Sequence, residues 1–375
     1  MLTVLRDAEV FAPERLGRRD LLVAGERIVA VAPTLPSLPP ELAREVDIGG
    51  RTVIPGLVDC HAHVTGGGGE AGPATRVAPL LASVLAAGGV TTSVGVLGTD
   101  GTTRTVASLV ARTLGLRQEG LSAWCYTGSY EFPVHTLTGS VRSDIVFVDP
   151  IVGVGELAIS DHRSSQPTLD ELLRVASDAH VAGMMSGKAG LVHLHVGDGA
   201  RGLDLVRRAL DGSELPPRVF HPTHVNRQRR LLDEAIELAS RGVTIDVTAF
   251  PPSEDADPSE VSAVDAIRRF FTLGAPRGRL TCSSDGGGCL PVFDAEGQMV
   301  SMDVGRPTTL METVQGLVAE GVPLDEALPP FTRNVADLFR LRRKGRIAVD
   351  CDADLVVLGP ELQVAEVMAR GAWIR

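Results

Sequence analysis

Val53-Ile54-Pro55-Gly56-Leu57-Val58-Asp59-Cys60-His61-Ala62-His63 sets the reading of the chain: an apolar run of strand length, then an acid and two histidines one residue apart. Alternate residues of a strand face the same side, so His61 and His63 project together from the end of the run. Further runs of similar length follow at Val90 to Val96, Ser122 to Thr127, Ile151 to Glu156, Val192 to Val196, Val219 to Val225, Val243 to Thr248 and Arg279 to Ser284. Longer segments with apolar residues at helical spacing fill the gaps, among them Leu169 to Ala182, Gln228 to Ser240 and Val261 to Leu273. Eight such strand and helix units predict an α/β fold, a closed (β/α)8 TIM-like barrel over residues 53–341, with the chemistry at the strand ends.

Two flanking segments do not fit this alternation. Residues 1–52 contain Gly25-Glu26-Arg27-Ile28-Val29-Ala30-Val31, and residues 342–375 contain Asp354-Leu355-Val356-Val357-Leu358 and Val367-Met368-Ala369-Arg370-Gly371. Both are short strand-like runs with turn residues. They predict a small β-sandwich domain assembled from the two chain ends.

The formal net charge is -11, with no basic run, so nucleic acid and anionic membrane are poor partners and a small-molecule substrate is favoured. The first residues lack the order of a signal peptide and no apolar run reaches bilayer length, which gives a cytoplasmic expectation. Five cysteines form no CxxC pair, so neither a disulfide framework nor a thiolate zinc site is indicated; Cys60 and Cys282 read as small core residues.

Ligand-type residues recur where the later runs end. Glu156 closes the fourth, His195 is near the end of the fifth, His224 is near the end of the sixth, and Asp285 follows the eighth. Together with His61 and His63, this set suits Zn²⁺ or a similar divalent ion, and two such ions sharing a bridging position would generate hydroxide at neutral pH. His193 shares the facing of His195, so either can be the ligand; His195 is preferred because it lies nearer the strand end. His135, His162, His180 and His221 read as loop, supporting or surface residues, and Tyr126 as packing.

The order HxH, fourth-strand acid, His, His, Asp resembles the amidohydrolase superfamily, and Asp352-Ala353-Asp354-Leu355-Val356-Val357 is similar to the signature of that superfamily's small β-domain. Within it the chain resembles isoaspartyl (β-aspartyl) dipeptidases through His61-Ala62-His63-Val64, Gly66-Gly67-Gly68-Gly69-Glu70-Ala71-Gly72-Pro73, Leu97-Gly98-Thr99-Asp100, Leu137-Thr138-Gly139-Ser140-Val141, Ala158-Ile159-Ser160-Asp161-His162-Arg163-Ser164 and Pro222-Thr223-His224-Val225-Asn226-Arg227. The resemblance implies that His61, His63, His195, His224 and Asp285 ligate metal and that Asp285 is also the proton shuttle. It implies that Glu70 pairs with the substrate's ammonium, Arg163 and Arg227 with its carboxylates, that Tyr130 stabilises the oxyanion, and that Thr99 lines the pocket. The reaction implied is attack of metal-bound hydroxide on the side-chain amide of a β-aspartyl dipeptide, by a homo-oligomer, an octamer.

Two departures stand out. Members of that family place a carboxylated lysine at the end of strand four, whereas this chain has Gly155-Glu156 with one apparent extra residue, and its lysines, Lys188 and Lys344, lie elsewhere. Glu156 is therefore the expected bridge of a two-metal site, independent of CO₂; the alternative is a one-metal site. Cys289 stands where the family commonly has serine near the substrate. Rival readings are a cyclic-amide hydrolase or N-acyl-amino-acid deacylase, which would not need Glu70, Arg163 and Arg227 together, a non-catalytic scaffold, and a thiol hydrolase using Cys289. Gly66 to Gly69 and the acidic segment from Pro251 to Pro258 are candidate mobile loops.

Overall fold

The computed structural model describes residues 2–251, 259–293 and 299–375. The segment after Pro251, read from sequence as a candidate lid, lies outside the described residues.

The strand and helix alternation is present. We number its strands β1 (Leu57–Ala62), β2 (Val90–Gly95), β3 (Ser122–Thr127), β4 (Ile151–Ile159), β5 (Leu191–Val196), β6 (Phe220–Thr223), β7 (Ile245–Thr248) and β8 (Leu280–Ser283). A helix follows each, from Ala82–Ala87 after β1 to Thr309–Ala319 after β8. β1 to β6 form one parallel sheet in chain order, and β7 and β8 form a parallel pair. At one seam His63 N donates to Gly286 O at 2.7 Å, beside a parallel bridge between Ala62 and Gly286. There the Asp59 carboxylate takes both the Ser284 amide (3.2 Å) and its hydroxyl (2.5 Å). At the other seam Thr223 Oγ1 donates to Asp246 Oδ2 at 2.7 Å and Asn226 Nδ2 to Thr248 O at 3.0 Å.

Every residue of β1, β2, β4 and β5 is buried, as parallel strands covered on both faces require. One core lies between strands and helices and includes Leu57, Leu109, Leu172, Leu194 and Ile267. A second fills the inside of the curled sheet with Val58, Val94, Tyr126, Val152, Leu191 and Phe339. Helix ends are specified locally. The Leu169–Ser186 helix starts at a capping box in which Thr168 and Glu171 exchange hydrogen bonds, and it stops at left-handed Gly187.

The sequence reading differs from the structure at the first run. Thr52–Pro55 and Leu57–Ala62 are separate strands, divided at Gly56, where a Cβ would lie 2.2 Å from Thr91 Oγ1. Thr52–Pro55 pairs parallel to Leu2–Phe11 and antiparallel to Leu355–Leu358, so Val53 to Pro55 belong to the sheet of the chain ends. Hydrogen bonds join all eight strands of that sheet into one mixed sheet. Its buried face, with Leu5, Val10, Leu21, Ile28, Val357 and Met368, closes over a core of its own. Buried Lys344 ties the two parts, its ammonium meeting Asp354 (2.6 Å), Asp352 (2.8 Å) and Ser122 Oγ (2.6 Å). Lys188 is capped by the carbonyls of Ile145, Val148 and Ile151, so neither lysine reaches the strand-end cavity.

Candidate metal centre

The C-terminal ends of the parallel strands open into a cavity of about 530 Å³ lined by His63, Glu70, Thr99, Tyr130, Glu156, Arg163, His195, His224, Arg227, Asp285 and Cys289. Every site residue expected from the sequence lines it except His61, which sits at its floor, buried with His63 and Asp285.

Two β-bulges aim the key side chains. In β1 the register passes from Asp59 opposite Ser93 to Ala62 opposite Gly95, so Cys60 and His61 together face Val94. In β4 it passes from Val154 opposite Val192 to Leu157 opposite Leu194, so Gly155 and Glu156 together face His193. An extra residue turns the side chain that follows it inward. Gly155 has φ 152°, and a Cβ there would meet His193 O at 2.6 Å. Gly98 is equally constrained: with φ 78°, its Cβ would lie 2.5 Å from the His63 ring.

Six potential ligands converge in two groups that share Glu156. His63 Nε2 lies 3.0 Å and His61 Nε2 3.3 Å from Asp285 Oδ1, with 3.4 Å between the two nitrogens. Glu156 Oε1 faces this group, 3.5 Å from each imidazole. Glu156 Oε2 faces the other, 3.3 Å from His195 Nδ1 and 3.6 Å from His224 Nε2. Both Glu156 oxygens and Asp285 Oδ1 are buried without a hydrogen-bond partner. Orphaned buried carboxylate oxygens are costly unless a cation joins them, and four imidazoles with two carboxylates suit one or two divalent ions. The donor set therefore fits a metal.

Electrostatics agree. Burial works against charge on Glu156 and Asp285, but the surrounding imidazoles outweigh it and hold both carboxyls well below the usual range. Burial lowers His224 to about 3, leaving a neutral ring whose Nδ1 meets Thr248 Oγ1 at 2.7 Å and whose Nε2 points inward. His195 is oriented similarly: Nε2 meets Asp161 Oδ2 at 2.9 Å, so Nδ1 is the nitrogen that faces Glu156 and the Tyr130 hydroxyl. His193 lies one layer deeper than His195, against His61 and the Tyr126 ring.

The residues expected to meet substrate surround this group. Glu70 accepts from Thr99 Oγ1 at 3.1 Å through one oxygen, while its other oxygen is buried and unpartnered. Its loop is gripped from below by Arg104, which donates to Gly67 O (2.7 Å) and Gly68 O (3.0 Å). Asp161 clamps Arg163 in a fork of 3.0 and 2.8 Å, leaving Nη1 3.8 Å from Glu70. The Arg227 guanidinium lies 5.6 Å over the Phe250 ring, its Nε without a partner. Tyr130 is buried with its hydroxyl 2.7 Å from His195 Nδ1, and burial with nearby Glu156 pushes its phenol well up, so it remains a proton donor.

Asp161, Arg104 and Phe250 had no assigned role in the sequence reading. Asp161 stands beside Arg163 in the SDHR string at a strand end, which was a usable signal. Arg104 and Phe250 had none, because only the folded loops bring them in. Cys60 is buried in the inner core, its Sγ 3.2 Å from Asp246 Oδ1, and His221 is a fully buried supporting residue against His193.

Cys289 is half-buried beside Glu70, and burial together with Glu70 and Asp285 pushes its thiol up to about 12. A neutral thiol is a poor nucleophile. Replacing Cys289 with Ser is expected to keep kcat within about tenfold of the parent, since the thiol is not the attacking group. Loss of all turnover in C289S, with rapid inactivation of the parent by iodoacetamide at pH 7, would instead revive the thiol reading.

The Amidohydrolase family model matches residues 52–374. The structure is similar over its whole length to that of a β-aspartyl dipeptidase from Fervidobacterium islandicum AW-1 in complex with β-Asp-Leu dipeptide, at 41% identity and TM-score 0.95, covering 96% of that chain. A second structure of β-aspartyl dipeptidase from the same organism matches at 40% identity and TM-score 0.91, covering 97% of that chain. The dihydropyrimidinase of Brevibacillus agri shares 17% identity at TM-score 0.69, covering 100% of this chain and 95% of that one, which speaks to the fold alone. With a family model matched over most of its length and two solved structures of a β-aspartyl dipeptidase alike to it from end to end, the chain belongs to the Amidohydrolase family.

Proposed function

We propose that the protein is a metal-dependent β-aspartyl dipeptidase, cleaving the side-chain amide that joins a β-linked aspartyl residue to the next amino acid. The observation that carries the reading is the meeting of Glu70, Arg163 and Arg227 in one cavity with six metal-type donors. A β-aspartyl dipeptide has one ammonium and two carboxylates. One buried acid and two guanidinium groups answer that pattern, whereas a cyclic amide or N-acyl amino acid leaves at least one of the three unmatched. The full-length likeness to β-aspartyl dipeptidases supports the same substrate.

In this reading His61, His63, Glu156, His195, His224 and Asp285 hold two divalent ions, Zn²⁺ by donor type. Bound there, they supply a water activated at neutral pH and a Lewis acid beside the scissile carbonyl. Glu70, steadied by Thr99, takes the ammonium through its free oxygen. Arg163, held rigid by Asp161, and Arg227 take the carboxylates. Asp285 accepts a proton from the attacking water and returns it to the leaving nitrogen as the C–N bond breaks, giving aspartate and a free amino acid. The Tyr130 phenol donates to the oxyanion of the tetrahedral intermediate.

The seams between β8 and β1 and between β6 and β7 support a closed eight-stranded barrel, and the two separate cores support a small domain formed by the chain ends. A homo-oligomer, an octamer, is also part of this reading. No helix among the described residues is long and apolar enough to cross a membrane, in keeping with a cytoplasmic hydrolase.

The deciding experiment compares β-aspartyl-leucine with α-aspartyl-leucine, using metal-loaded protein with elemental analysis and a chelated control. Selective, chelator-sensitive cleavage of the β-isomer is expected, with about two metals per chain. Absence of cleavage by fully metallated protein would remove the dipeptidase assignment and direct attention to cyclic amides and N-acyl amino acids.

A further inference from the structure

Directly beneath the candidate ligands lies a second polar layer that the hydrolysis above leaves unused. His61 Nδ1 is 2.8 Å from His193 Nε2, and His193 Nδ1 is 3.0 Å from His221 Nδ1. His221 Nε2 is 3.0 Å from Thr281 Oγ1, whose hydroxyl donates to Asp246 Oδ1 at 2.6 Å. All five residues are fully buried. Asp246 also receives Ser283 Oγ at 2.5 Å, Thr223 Oγ1 at 2.7 Å and Cys60 Sγ at 3.2 Å.

These contacts have one consistent direction. Three hydroxyls and a thiol converge on the Asp246 carboxylate, and the Thr281 proton points at it, 2.6 Å away against 3.3 Å to Ile245 O. The Thr281 oxygen is then an acceptor for the N–H on His221 Nε2. Burial lowers His221 to about 4, so its ring is neutral and carries a single proton. Its Nδ1 must therefore accept, and the partner that donates is His193 Nδ1. His193 Nε2 is left as an acceptor for His61 Nδ1–H. With Nδ1 committed to His193, Nε2 is the His61 nitrogen left to meet a cation, the atom that faces His63, Asp285 and Glu156. Tyr126 stacks on His193 at 4.8 Å with parallel planes, holding the middle of the chain in orientation.

We propose that Asp246, Thr281, His221 and His193 form a directional hydrogen-bond relay that fixes the tautomer of His61 and presents its Nε2 to metal. They are positioning residues: none touches the substrate cavity. The relay rests on the reading of the upper cluster as a metal centre. Cys60, His221 and Asp246 also lie close enough together to be a ligand set of their own, but each is already engaged within the layer.

The test measures divalent-metal affinity by competition with a chromophoric chelator, together with the ligand-field spectrum of the Co²⁺-loaded protein. H193L cuts the relay beside His61, and is expected to weaken metal binding by about 10- to 100-fold and to shift the Co²⁺ spectrum. In H193Q the side-chain carbonyl can accept from His61 while the amide donates to His221, so affinity should stay within about threefold of the parent. T281V breaks the far end without touching a ligand, and should weaken binding in the same direction by less than H193L. It decides the matter if H193L fails a circular-dichroism check of folding. A parent protein that binds no divalent ion removes the metal centre itself. A parent that binds metal while H193L and T281V match it in affinity and spectrum removes the relay alone. H193Q as damaged as H193L points to ring packing and overturns the proposal, as does loss of an additional metal equivalent in D246N.

Discussion

Glu156→Gln folds like its parent but loses metal and turnover together. Gln has the size of Glu, so the bulge at Gly155 and Glu156 and the packing around it are undisturbed. What changes is charge. Glu156 Oε1 faces His61 and His63, and Oε2 faces His195 and His224, so one carboxylate serves both halves of the centre. An amide offers one oxygen and one N–H₂, and whichever half receives the N–H₂ meets a donor where a cation requires an acceptor. Bound metal is expected to fall from about two equivalents to one or fewer, and kcat/KM by on the order of 10³ or more, because in the proposed mechanism both activation of water and carbonyl polarisation depend on a metal pair. Reconstitution of the stripped parent should proceed equally well in CO₂-depleted buffer and in bicarbonate, since a glutamate needs no carboxylation to coordinate. Two equivalents retained in E156Q would show that the imidazoles and Asp285 suffice without a bridge. A single equivalent in the parent would favour the one-metal alternative.

Glu156 also shows where sequence reasoning reaches its limit. Its residue type was legible and an extra residue was visible beside Gly155, but the run read as ending at Glu156 continues as β4 to Ile159. The bulge itself was not legible, because register depends on the facing strand: only the pairing of β4 with β5 shows Gly155 and Glu156 sharing one partner. The same holds for His61. Alternation explains why His61 and His63 were read together, yet Cys60 and His61 face Val94 through a bulge, and Cys60 turns inward to Asp246 as well. The eight strand-length runs were legible from periodicity, whereas the division at Gly56 was not, because Thr52–Pro55 and Leu57–Ala62 are one apolar run until their hydrogen-bond partners are known.

Depth inside the barrel was the other quantity hidden from sequence. His193 and His195 share a facing, and spacing alone leaves either as a ligand; in the structure one meets Glu156 and Asp161, and the other His61 and His221. Asp246 offered a signal that went unused, as the lone charged residue of the run from Val243 to Thr248. An acid inside an otherwise uncharged strand is expensive to bury and calls for named partners. Asking for them would have pointed to Thr223, Thr281 and Ser283, three hydroxyls on the neighbouring runs.

Asp285→Asn separates the two roles proposed for one side chain, metal ligand and proton carrier. Its Oδ1 lies 3.0 Å from His63 and 3.3 Å from His61, so loss of its charge weakens the centre, and this part of the defect is recoverable by saturating metal. The proton-transfer part is not. Asparagine cannot take a proton from water or return one to the departing amine, and kcat at saturating metal is expected to stay about 10²- to 10⁴-fold below the parent. KM for β-aspartyl-leucine should change little, because the residues proposed to meet the charges of the substrate, Glu70, Arg163 and Arg227, are unaltered. The nature of the leaving group supplies an internal control. An aniline such as that of β-aspartyl-p-nitroanilide departs with little need of protonation, so D285N should lose less rate on it than on β-aspartyl-leucine. If saturating metal restores kcat on both substrates, Asp285 is a ligand only and the proton must travel by another group. A persistent defect that is larger for the poorer leaving group identifies Asp285 as the residue that delivers the proton to nitrogen.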